Sequence, residues 1–412
     1  MSKILILDVE STTKQKGHPF HKDNKLCLVG VFDGTTYTEY DIEYTDSPYG
    51  SDLSKLQQQL EEAELIVGFN IKFDLHWIRR YIPNVSINNI YDCQLAEFIL
   101  GSQKHPYPSL DKSCTKRGVV GKFSDVVHNL WADGYDTPTI DRAILSEYLR
   151  QDCQATYELY LAQQKVIPSE LKNLIKLHNS DLLVLQEMEF NGMPFDNSKC
   201  KELNEHYLQE LQSVNDALKH WYPHPSFNPN SNHHLSILLF GGNLEYDCQV
   251  PTVRTLKSGA IKTGFKKGTG FLPVTGLFKP DKKWEYKATR NLKDFELELT
   301  NQRRLADGKQ LLQRIYSTDS ESMQALKSRA KSKEAKNLID LLMRRAYLEK
   351  LQSTYFGGYP KLVEQYGWQQ GTMHGQFNQC VAVTGRLSSS NPNLQNIAKE
   401  VKQIFRSEYG LA

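Results

Sequence analysis

Two carboxylates stand two positions apart at the end of an aliphatic run, Ile4-Leu5-Ile6-Leu7-Asp8-Val9-Glu10. The run reads as a buried strand, and side chains at i and i+2 leave a strand on the same face. Asp8 and Glu10 therefore point the same way. Like charges held that close repel unless a cation lies between them, and carboxylate oxygens suit Mg2+ or Mn2+. A strand end that simply runs into solvent is the alternative.

Further acids occur in comparable settings. Asp74 follows a second apolar run, Leu65-Ile66-Val67-Gly68, at a strand-to-helix turn. It can cap the helix predicted over 75–81 or face a cleft, and capping leaves Asn70, four residues earlier, unexplained. The spacing of apolar residues predicts a long helix over 138–164, on which Tyr148 and Asp152 lie one turn apart on one face. Asp152 sits between Leu149 and Cys153, an unusual place for a surface acid, although a solvated acid is its simplest reading. Asp92 reads as a cap for a helix predicted over 90–101, with an acid supporting the metal-binding ones as the other reading.

The elements around these acids read as α/β. Strands are predicted over 26–32 and 35–44, separated by Asp33-Gly34, and helices over 52–64 and 109–118. From 171 the pattern turns helical: 171–190, then 198–221 capped by Asp196 or Asn197, then 233–239. Between 254 and 290 there are ten Lys or Arg against two acids, interleaved with aromatics and glycines. That composition fits a β-rich insertion gripping a nucleic-acid backbone or a solvated basic hairpin. Helices with many basic residues return over 319–352, and strands are predicted over 372–378 and 380–384.

Composition sets the bounds. The 412 residues are enough for roughly two to four domains, and 24% charged with 39% hydrophobic residues is ordinary for a globular chain. The net charge of +2 gives no sign of a nucleic-acid partner by itself. No apolar run approaches the roughly 18 residues of a membrane span, and residues 1–10 lead into the first strand with no basic n-region or cleavage signal. Seven scattered cysteines without a CxxC pair read as buried, reduced thiols of a cytoplasmic protein.

Taken in order, Asp8-x-Glu10, Asn70-x-x-Phe73-Asp74 and Tyr148-x-x-x-Asp152 resemble the three motifs of the DEDD 3′–5′ exonucleases, in the subtype with Tyr. Their order is similar to that in the proofreading domain of family A DNA polymerases. The resemblance implies an RNase H-like domain over 1–165, a mixed sheet flanked by helices. It also implies two-metal phosphodiester hydrolysis of a single-stranded DNA 3′ end. Asp8 would bridge two Mg2+ or Mn2+ ions. Glu10 and Asp152 would hold the ion carrying the attacking water, Asp74 would hold the second through a water, and Tyr148 would orient the nucleophile. Asn70 and Phe73 would contact the DNA.

The rest of the chain resembles the same family. Met188–Asp196 is similar to the exonuclease–polymerase junction, Phe227-Asn228 to the thumb entry, and Leu351-x-Ser353-Thr354-Tyr355 to the link after the thumb. Thr384-Gly385-Arg386-Leu387-Ser388-Ser389-Ser390-Asn391-Pro392-Asn393-Leu394-Gln395-Asn396-Ile397 is very close to a palm element of the family. By that resemblance Arg386 would reach the minor groove at the primer end, and Ser389, Gln395 and Asn396 would hold the primer–template backbone. The expected division is 1–165 exonuclease, 166–225 linker and palm-base helices, 226–355 thumb with a β-rich insertion at about 242–310, and 356–412 start of the palm. The Asp-Tyr-Ser-Gln motif and the fingers helix are missing before Ala412. The expectation is therefore half of a split polymerase of phage origin, working in the host cytoplasm and completed by a second chain with palm and fingers. A processivity factor at the insertion is a further expected partner. A piece cut from a longer polymerase would read the same as a natural split, and a free-standing exonuclease and a non-catalytic DNA-binding subunit are further alternatives.

Overall fold

A computed structural model of the chain describes residues 3–44, 53–119, 125–255, 261–306, 312–368 and 371–405. The start of the helix predicted over 52–64, Lys257 and Gly259 of the basic stretch, and everything after Phe405 lie outside the described residues. The chain forms two compact units, Met1–Lys201 with Tyr355–Ala412, and Glu202–Thr354.

The first unit is built on β1 (Ile4–Ser11). β2 (Leu26–Phe32) pairs with it antiparallel and β3 (Tyr37–Asp41) pairs antiparallel with β2. After α1 (Leu53–Glu61), β4 (Leu65–Gly68) runs parallel to β1 on its other side. After α2 (Ile71–Tyr81), β5 (Ile90–Asp92) runs parallel to β4. The result is a mixed sheet in the order β3-β2-β1-β4-β5. Leu5, Ile6 and Leu7 are fully buried, as a strand covered on both faces requires, and each contributes about 1.5–3 kcal/mol by leaving water.

Helices complete the layers: α3 (Cys93–Leu100), α4 (Leu110–Arg117), α5 (Asp125–Ala132), α6 (Arg142–Val166) and α7 (Ser169–Asn191). α4 has the predicted boundaries, with Ser109 as N-cap and Gly118 in the left-handed region as C-cap. Three of the differences from the predicted boundaries bear on the site. α2 starts at Ile71 and not at 75, so Asp74 lies inside its first turn and does not cap it. The predicted helix over 90–101 is the strand β5 followed by α3. The long helix begins at Arg142 on the Asp141 cap, because Pro138 belongs to a separate 3-10 turn over Thr137–Thr139 capped by Asp136.

Asp92 caps more than its own helix. Its carboxylate accepts from Gln94 N and Leu95 N of α3 and also from Asn70 N and Ile71 N at the start of α2. One buried acid thus satisfies the orphan amides of two helices. Asn70 itself is in the left-handed region, φ 60°, and makes no side-chain capping bond.

α6 approaches the sheet over Gly30 of β2, which lies opposite Asp8 in the ladder. A Cβ at Gly30 would come within 2.9 Å of both Leu149 Cγ and Cys153 Sγ. The missing side chain is what lets the turn of α6 carrying Asp152 close onto the strand pair. Beyond α7, β6 (Met193–Pro194) leads into α8 (Asn197–Leu218), and Asp196 caps that helix by accepting from Ser198 N and Lys199 N.

In the second unit α9 (Asn232–Phe240) follows its Ser231 cap. β7 (Gly242–Thr255) and β8 (Ile261–Val274) form a long two-stranded antiparallel ribbon. The predicted β-rich insertion is therefore half right: its later part is helical, α10 (Lys287–Arg290) and α11 (Asp294–Ala306). Two further helices, α12 (Ser320–Arg329) and α13 (Lys333–Lys350), follow. Arg345 of α13 is buried and held by Asn215, Asn230 and Glu349. A buried guanidinium needs such a full set of acceptors.

The chain then returns to the first unit as α14 (Gly358–Tyr366), β9 (Thr372–Met373), β10 (Gln376–Asn378) and β11 (Ser388–Ser390). β9 pairs with β6 and β10 with β11. The segment 380–384, predicted as a strand, is turn and irregular backbone, and the partner of β10 comes from the serine run instead. Among the described residues no helix is long and apolar enough to cross a membrane. All seven cysteines are free, and Cys248 on the ribbon is the one that is only half-buried.

Candidate metal centre

Asp8 and Glu10 leave β1 on one face, and α6 brings Asp152 over them. One carboxylate oxygen from each lies within 4.8 Å of the others, and this is the only such cluster of three among the described residues. Glu10 and Asp152 are buried, and Asp8 is half-buried. Asp74 adjoins them from α2: its Oδ1 accepts the amide of Val9, the residue between the two β1 acids, at 3.1 Å. Burial and the charge of Asp8 push the Asp74 carboxyl well above the usual carboxylate range.

Tyr148 is one turn before Asp152 and is buried. Its ring packs edge-on against Trp131 and His128 of α5, at 5.7 and 5.9 Å between centroids. Burial first, and then the charges of Asp152, Glu10 and Asp8, push its phenol far above the ordinary value. The hydroxyl is thus a donor at any working pH and not a base. A cleft of about 320 Å³ opens beside Glu10, lined by Ser11, Thr13, Lys16, Gly17, Phe73 and Trp131 among others.

The donor set fits divalent cations. It consists of oxygen atoms alone, suited to Mg2+ or Mn2+. Buried carboxylates this close cannot all ionise without a compensating positive charge.

The sequence-predicted DNA contacts divide. Asn70 is exposed and Phe73 half-buried, and both line a second cleft of about 250 Å³. Phe73 lines both clefts. Arg386, Gln395 and Asn396 are exposed, with Asn396 O accepting from the Tyr355 hydroxyl at 2.6 Å. Ser389 has a different task. It is buried, and its Oγ donates to Pro392 O and accepts from Leu394 N, so it shapes its own loop and its side chain does not reach outward.

Sequence reasoning missed Trp131 and His128, which brace Tyr148; isolated aromatics on a short helix carry no spacing signal. It also missed Glu189, quoted only within the Met188–Asp196 phrase. Glu189 is 3% exposed and bonds Lys72 Nζ at 2.6 Å, His76 Nε2 at 2.8 Å and Phe377 N at 2.6 Å. His18 and His21 are buried as well.

Residues 4–168 match the family described as 3′–5′ exonuclease, and residues 285–410 match the family described as DNA polymerase family A. DNA polymerase I of Synechocystis sp. is 28% identical over 268 residues, covering 63% of this chain and 20% of the relative. DNA polymerase I of Chloroflexus aurantiacus is 28% identical over 233 residues, 55% of this chain and 18% of the relative. The thermostable DNA polymerase I of Thermus filiformis is 39% identical over 79 residues, 18% of this chain and 9% of the relative. The matched stretches thus span a fifth or less of these relatives. Among solved structures, the POL domain of Pol1 from M. smegmatis, in complex with DNA primer-template and dNTP, superposes with a TM-score of 0.62 at 17% identity, covering 98% of this chain and 54% of that one.

Proposed function

We propose, for a chain that belongs to DNA polymerase family A and carries a 3′–5′ exonuclease domain, that its acid cluster hydrolyses the terminal phosphodiester of a single-stranded DNA 3′ end. The observation that carries this reading is the meeting of Asp8, Glu10 and Asp152 within 4.8 Å, with Asp74 bonded to the backbone between the first two. Asp8, Glu10, Asp152 and Asp74 would hold two Mg2+ or Mn2+ ions. When bound, such ions lower the pKa of a water and offset the charge on the leaving oxygen. The chain's own groups do the rest. Val9 N fixes the Asp74 carboxylate, and the Tyr148 hydroxyl, locked by Trp131 and His128, donates a hydrogen bond toward the attacking oxygen. Phe73 and Asn70 offer a stacking face and an amide to the strand entering the cleft.

The same reading divides the chain into exonuclease (1–165), connecting helices (166–225), thumb (226–355) and start of the palm (356–412). Arg386, Gln395 and Asn396 would meet primer–template DNA. These 412 residues contain no Asp-Tyr-Ser-Gln palm motif, so nucleotide addition would need carboxylates from outside them, in a split arrangement from a second chain. The basic ribbon β7–β8 would serve DNA or a processivity partner.

A 5′-labelled single strand incubated with the protein and Mg2+ tests the reading. The expected product is a ladder shortening from the 3′ end that chelation abolishes. DNA binding that survives chelation with no metal-dependent product would replace this reading with that of a non-catalytic binding subunit.

A further inference from the structure

The buried carboxylate of Glu189 joins three segments far apart in sequence. From α7 it accepts from Lys72 Nζ and pairs with His76 Nε2 on α2, the helix that carries Asp74 between them. It also accepts from Phe377 N on β10, and Lys72 Nζ in turn donates to Phe377 O. Phe377 is the ladder partner of Ser389 on β11, three residues after Arg386. From the same N-terminal part of α2, between Lys72 and His76, Asp74 Oδ1 accepts from Val9 N, which lies between Asp8 and Glu10. Direct hydrogen bonds and one helix therefore run without a gap from the strand pair beside Arg386 to the backbone of the acid cluster. At 3% exposure the Glu189 charge is retained only because these donors surround it.

We propose that Glu189 is a positioning residue of the exonuclease site: it locks α2, and hence Asp74, in register with β1, and ties that helix to the strand pair β10–β11 that flanks Arg386. This rests on the nuclease reading above. A DNA 3′ end delivered from a duplex depends on both ends of the tie being in register, whereas a short free single strand needs the acid cluster alone. The hydrolysis of a mismatched primer–template is therefore more sensitive to Glu189 than the hydrolysis of a single strand.

The test compares the full chain with Glu189→Gln and Lys72→Gln, the second a cut in the same tie from its more exposed side should the first fail to fold. The readouts are hydrolysis of a single strand, hydrolysis of a 3′-mismatched primer–template, and the Mg2+ concentration for half-maximal rate. The expectation is a loss on the primer–template larger by about tenfold than the loss on the single strand, with a higher half-maximal Mg2+ concentration. A merely structural role would lower the melting temperature and leave both the ratio and the Mg2+ dependence of the folded protein unchanged, and that result overturns the proposal. A wild-type chain without metal-dependent hydrolysis overturns the nuclease reading itself, a distinct outcome.

Discussion

Tyr148 shows how environment sets a residue's task. Its phenol is buried among carboxylates and held protonated, so its contribution is a directed hydrogen bond. Tyr148→Phe is expected to lower single-strand hydrolysis by about tenfold or more, the scale of a misdirected reacting group, while circular dichroism and melting change little because the ring contacts persist. His18 gives a pH signature independent of the acids. Burial first, then the nearby His76 and His374, lower it from 6.5 to about 4, against the opposing pull of Glu189. A histidine depressed in the fold leaves the unfolded chain binding more protons between those values, so stability is full above pH 6.5 and is lost as pH falls toward 4. Thermal melting from pH 7.5 to 4 should show that decline, shallower by up to a few kcal/mol in His18→Gln; an unchanged slope contradicts it.

At the level of elements the site depends on how closely α6 can lie on the sheet, and Gly30 sets that distance. Gly30→Val is expected to destabilise the fold by about 1–3 kcal/mol through overpacking and to lower hydrolysis further by moving Asp152 from Asp8. Chemical denaturation and rate measurements on the folded fraction separate the two effects. Much of this level was legible in the sequence. Period-2 spacing put Asp8 and Glu10 on one face, and four-residue spacing put Tyr148 above Asp152. The errors have physical causes. The stretch from Ile90 to Leu100 gives no periodicity that would separate a three-residue strand from the helix after it. α2 starts early because an acid from another segment, Asp92, supplies its cap, and such remote capping leaves no local trace. The serines of β11 have little strand propensity and pair only because β10 presents an edge, whereas the valines over 381–383 favour a strand that the turn at Gly385 prevents. Ser389 was legible as a polar loop residue but not as a buried one, since the direction of its hydroxyl is decided by the fold of its own loop.

The molecule as a whole carries its acid cluster, its Glu189 tie and its exposed Arg386 loop in one compact unit, and its long β7–β8 ribbon in the other. Val253, Ile261 and Phe265 on that ribbon are 68–71% exposed, an apolar strip of the kind that marks an interaction surface. Removal of residues 246–270 is expected to spare hydrolysis of short single strands and to weaken retention on primer–template DNA in a salt-dependent manner, read by filter binding at two ionic strengths. The 412-residue chain by itself is also expected to leave a primer unextended when supplied with all four deoxynucleotides. The most direct measurement concerns the acids themselves. The wild-type chain and Asp8→Ala are given the same 5′-labelled single strand with Mg2+, with folding of both checked by circular dichroism. The account predicts a fall of about 10³-fold or more in the rate of 3′ shortening with the fold retained. Shortening by the folded Asp8→Ala protein at the wild-type rate would contradict it.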